Sequence, residues 1–71
     1  MESEYVDKYG NILKENDIVL NGAGDKLKVV YERDEWFLQS LNTGRKFLLF
    51  MYTTVKNELV KPIDSLFGGE E

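Results

Sequence analysis

KLKVVYERDEWFLQSLNTGRKFLLFMYT, residues 26–53, is the stretch on which the fold turns. Leu27, Val29 and Tyr31 alternate with Lys28, Val30 and Glu32, which is the two-residue period of a half-buried strand written in β-favouring residues. Arg33-Asp34-Glu35 is a short polar connection. Residues 36–41 resume the strand pattern with Trp36, Phe37 and Leu38. Asn42-Thr43-Gly44 reads as a hairpin loop, with Gly44 at the positive-φ position. Residues 45–53 are expected to form the third strand of a meander. Trp36 and Phe37 are neighbours on a strand and must face opposite sides.

Tyr9-Gly10-Asn11 is a turn signal, and residues 12–20 hold two short apolar groups. Asn16 lies between them, where a tight turn wants a residue that tolerates positive φ. Asn21-Gly22-Ala23-Gly24-Asp25 is a second turn. Residues 54–60 read as a turn and a last strand, stopped by Pro62. Residues 63–67 are expected to form one helical turn. The expected organisation is a flexible tail at 1–4, one domain at 5–67 and a second flexible tail at 68–71. Five short strands with tight turns predict an all-β, five-stranded small barrel, which also removes exposed sheet edges.

Composition narrows the function. The chain has 71 residues, 42% of them hydrophobic, and a net charge of −4. A domain this small buries only about 60% of its unfolded surface, so it has little room for a catalytic cleft. It has no cysteine and no histidine. That removes disulfides, thiolate sites, the commonest general base and the commonest zinc ligand. Ser3, Ser40 and Ser65 therefore have no histidine to activate them. Gly22-Ala23-Gly24 has no Lys-Ser/Thr after it and is not a phosphate loop. Asp17 and Asp25 lack the spacing of a calcium loop. No apolar run approaches the roughly 18 residues of a membrane span. The expectation is a cytoplasmic, non-enzymatic binding protein with no cofactor, no metal and no membrane association.

The central stretch resembles SH3-type barrels. The Asp25-Lys26-Leu27-Lys28-Val29-Val30 strand, the Asp34-Glu35-Trp36-Phe37 step and the Ser40-Leu41-Asn42-Thr43-Gly44-Arg45 hairpin carry the resemblance, over residues 25–45. It implies Trp36 as a ligand-facing aromatic. Tyr5-Val6-Asp7-Lys8-Tyr9 and Leu49-Phe50-Met51-Tyr52 depart from the opening and closing motifs of the peptide-binding members, so proline-rich ligands are not implied. The spacing of Asp7, Gly10, Leu13, Asp17, Ile18 and Val19 is similar to the opening of short YopX-like phage and prophage proteins. That implies a phage or prophage origin.

Three candidate surfaces follow. The run from Phe47 to Tyr52 is apolar on both faces of a strand, and a small barrel has one inside. Leu48, Phe50 and Tyr52, with Trp36, are therefore the expected partner-binding face, for another protein or a second copy, unless Leu66 and Phe67 cover them. Glu32, Asp34 and Glu35 form an acidic set that could occupy the nucleic-acid channel of a host enzyme; the plainer reading is a solvated hairpin tip. Arg45 and Lys46 beside Phe47, extended by Lys56 and Lys61, could contact nucleic acid, with the acidic net charge arguing against it.

Overall fold

The computed structural model describes residues 1–54 and 57–62. The expected helical turn at 63–67, the Leu66–Phe67 cover, the tail at 68–71 and Lys56 lie outside the described residues. The elements are β1 (Glu2–Val6), β2 (Ile12–Lys14), β3 (Ile18–Leu20), β4 (Lys26–Glu32), β5 (Glu35–Ser40), β6 (Lys46–Leu48) and α1 (Leu49–Thr54). The fold is mostly β, in two antiparallel sheets. One pairs β1 with β2; the other is a four-stranded meander in the order β3-β4-β5-β6. The expected single five-stranded ring differs from this: among the described residues the ladders divide between two sheets.

The meander forms because its alternation is matched across every strand. Val19 pairs with Leu27, and Val29 with Leu38, which pairs in turn with Phe47. Paired residues share a face, so one register brings all these side chains to the interior. Leu13, Val19, Leu27, Val29, Leu38, Leu49 and Leu59 make up the core and are almost wholly removed from solvent. Each contributes about 1.5–3 kcal/mol from burial. Arg33 and Asp34, with φ of 54° and 62°, form a two-residue turn between the paired Glu32 and Glu35. Positive φ at both central positions is the type I′ geometry, whose twist suits a hairpin. Asn16 and Gly44 adopt the positive φ expected of them, 75° and 79°.

Residues 2–4 are not a loose tail. They belong to β1, whose register with β2 runs from Glu2↔Lys14 to Val6↔Ile12 with an irregularity between. Ser3 is buried there. Its hydroxyl donates to the Leu13 carbonyl at 2.7 Å and accepts the Tyr5 N–H at 3.0 Å, which satisfies the group in the interior. Polar composition alone had suggested a free end.

The two sheets are joined by residues 57–61. Leu20 and Val60 exchange both backbone hydrogen bonds at 2.9 Å, and the Lys8 N–H donates to the Leu59 carbonyl at 2.9 Å. Asn57 donates through Nδ2 to the Val6 carbonyl at 2.7 Å. Asp7 locks this seam. Its carboxylate accepts the backbone N–H groups of Tyr9 (2.9 Å), Asn11 (2.8 Å) and Lys61 (2.8 Å), and Nδ2 of Asn11 (3.0 Å). Burial pushes its pKa up, but the hydrogen bonds from Asn11, Lys61 and Tyr9 outweigh this and hold it below its ordinary value.

Candidate functional site

The expected third strand of the meander ends at Leu48, and the chain turns into α1 at Leu49. The register supplies the reason. Leu48 pairs with Phe37, and β5 extends only two residues beyond that pair, back to Glu35. A strand continued through Tyr52 would outrun its partner and leave backbone groups unpaired. Leu, Phe and Met tolerate a helix well. Its period of 3.6 carries Leu49 and Tyr52 to the core side together. The Thr54 hydroxyl closes the short helix by donating to the Phe50 carbonyl at 2.7 Å.

This change divides the expected binding face of Trp36, Leu48, Phe50 and Tyr52. Tyr52 is half-buried against the core and meets Phe47 edge to face, with ring centroids 5.9 Å apart. Trp36 lies on the inner face of β5, in line with Leu38, and also rests on the core. Its ring is 4.7 Å from that of its cross-strand partner Tyr31. Neither aromatic belongs to an outer face. Leu48 and Phe50 do remain outside, 40% and 48% exposed, and Met51 joins them at 58%. Val30, Phe37 and Leu48 lie in register across β4, β5 and β6 on the outer side of the meander. The strand reading assigned Met51 to the inner face, and only the helical period reveals it as an exposed neighbour of Phe50.

The acidic set is partly spoken for by its own domain. Glu32 forms an ion pair with Lys46, reaching from β4 to β6 across β5. That hydrogen bond holds the Glu32 pKa below its ordinary value. Asp34 accepts the Tyr31 hydroxyl at 3.1 Å, which raises the tyrosine pKa. Glu35 is exposed opposite Glu32. The basic set is also divided. Lys46 is held by Glu32, while the Arg45 guanidinium lies over the Phe47 ring at 5.8 Å from its centroid. Lys61 pairs with Asp17 at 3.0 Å and donates to the Ile12 carbonyl. Among the described residues, no group of three or more acidic side chains could hold a metal ion. Among them too, no helix is long and apolar enough to cross a membrane.

A cleft of about 190 Å³ opens between the 21–25 turn, the 40–45 hairpin and α1. Leu27, Phe47 and Tyr52 give it apolar lining, and Arg45 and Asp25 bring opposite charges to it. In sequence its two loops are legible only as turns; the Asn and Ser side chains that organise them are the available signal. No family model, curated protein or solved structure matches this chain.

Proposed function

We propose that this chain is a non-catalytic protein-binding module of the small SH3-like barrel kind, encoded by a phage or prophage, which binds its partner through Leu48, Phe50 and Met51. The carrying observation is their joint exposure at the strand–helix junction beside β6, the last strand of the meander among the described residues, while seven other apolar residues close the core without them. Large apolar side chains grouped at one place, with a half-buried Phe37 beside Leu48, form the kind of patch that partners cover. The meander and the return of Val60 to Leu20 support the SH3-like reading; the spacing from Asp7 to Val19 supports the phage origin.

Capture of partners from lysate, with and without nuclease, tests the proposal against direct nucleic-acid binding. A protein retained after nuclease and lost, by about tenfold or more in affinity, with Phe50→Ser supports it. Tyr9→Ser, at an exposed aromatic elsewhere, serves as the control and retains binding. With Glu32 paired to Lys46, Asp34 and the exposed Glu35 are what support an acidic nucleic-acid mimic as the second reading. Under that reading Glu35→Lys abolishes capture, salt weakens it strongly, and Phe50→Ser has no effect.

A further inference from the structure

We infer that the cleft between the 21–25 turn and the 40–45 hairpin binds a carboxylate with a neighbouring amide N–H, as the last residue of a peptide presents them. The two loops have already used several of their own hydrogen-bonding groups. Asn21 Oδ1 accepts the N–H groups of Ala23 and Asp25, both at 2.9 Å. Ser40 Oγ accepts those of Asn42 and Thr43, both at 3.2 Å. Thr43 Oγ1 accepts that of Arg45 at 3.2 Å.

Turn formation therefore consumes the acceptors and leaves the donors. The Asn21 amide and the Ser40 and Thr43 hydroxyls each retain N–H or O–H capacity toward the cleft. Arg45 adds its guanidinium. Among the described residues the Phe47 ring is its one partner, and no carboxylate neutralises it. Tyr52 adds a phenol. A concave site rich in donors and containing an arginine fork suits a planar, acceptor-rich anion.

Asp25 narrows the ligand further. It lines the same cleft, and among the described residues its carboxylate has one long contact, 3.5 Å from Asn21 Nδ2. It repels a dianion such as phosphate and accepts an N–H. A carboxylate with an adjacent N–H satisfies both ends. The Phe47–Tyr52 pair offers an apolar wall to the side chain between them. A cleft of about 190 Å³ accommodates a single residue rather than an extended segment. This site is distinct from the Leu48, Phe50 and Met51 surface, so either can fail alone.

The test is titration of the full chain, followed by NMR, with N-acetylphenylalanine, its amide and inorganic phosphate. A fourth probe is a fully amidated dipeptide whose acid is a side chain. The expected result is saturable shifts centred on residues 21–27, 40–47 and 52, with Leu48, Phe50 and Met51 least affected and the free acid binding about tenfold or more tighter than the amide. Arg45→Gln, at an exposed position, abolishes this response, and Tyr52→Phe weakens it while keeping a dispersed spectrum. Equal response to acid and amide, a response unchanged in Arg45→Gln, or none at about 10 mM ligand overturns the proposal. Tighter binding of phosphate or of the side-chain acid overturns the main-chain assignment.

Discussion

Asp7 concentrates more of this protein's cohesion than any other polar side chain described. It is 2% exposed, charged, and satisfied by four donors drawn from its own turn and from residue 61. Removing the acceptor leaves four partly buried donors without their partner, which costs more than the bonds themselves contribute. Asp7→Ala is expected to cost about 3 kcal/mol, read as a lower urea midpoint at unchanged slope. The acid response follows from the direction of the pKa shift. The folded pKa lies below the ordinary 3.8, so the carboxylate's stabilisation is complete above that value and disappears as pH falls through the folded pKa. As pH falls below about 3.8, Asp7→Asn should therefore lose less stability than the parent chain. An equal loss in both would show that another group governs acid unfolding.

At the scale of elements, the β4–β5 hairpin and α1 make opposite demands on their residues. The hairpin places Arg33 at φ 54°, a conformation that β-carbon sterics disfavour and that asparagine adopts at less cost. Arg33→Asn is expected to stabilise the domain by about 0.5–1 kcal/mol, or a few degrees in Tm. It leaves the Tyr31–Asp34 hydrogen bond in place. A lower Tm would mean that the Arg33 side chain contributes a contact that outweighs the strain. Helix α1 makes a sharper distinction. Leu49 is fully buried and Met51 largely exposed. Leu49→Ala should cost about 2–5 kcal/mol, and Met51→Ser within about 0.5 kcal/mol. A strand through the same residues would bury both, so comparable costs at 49 and 51 would refute the helix.

For the whole molecule, stability depends on a segment that is distant in sequence. Residues 57–61 bond to the turn after β1, to β3 and to the Asp7 carboxylate, and Leu59 enters the core with no exposed surface. A domain of this size has a net stability of about 4–11 kcal/mol. Leu59→Ala, expected to cost about 3 kcal/mol, consumes a large part of it. Hydrogen exchange should show protection falling together in β1, β3 and β4, since the seam joins both sheets. Loss confined to β1 and β2 would show that the four-stranded meander is stable without it.

Alternation alone determined much of this architecture. The strands from Leu27 to Leu38 and the positive φ at Asn16 and Gly44 follow from residue type and period, which act over a few neighbouring residues. The fate of Phe47-Leu48-Leu49-Phe50-Met51-Tyr52 was not legible in this way. A continuous apolar run satisfies a strand and a helix equally, and the decision came from where β5 stops offering a partner. That choice turned Tyr52 inward and exposed Met51 beside Phe50, while the register that sets Phe37 opposite Leu48 placed Trp36 on the inner face. The cleft is also a tertiary product. Arg45, Asp25 and Tyr52 come from a hairpin, a turn and a helix, and no local pattern records that three separate segments meet.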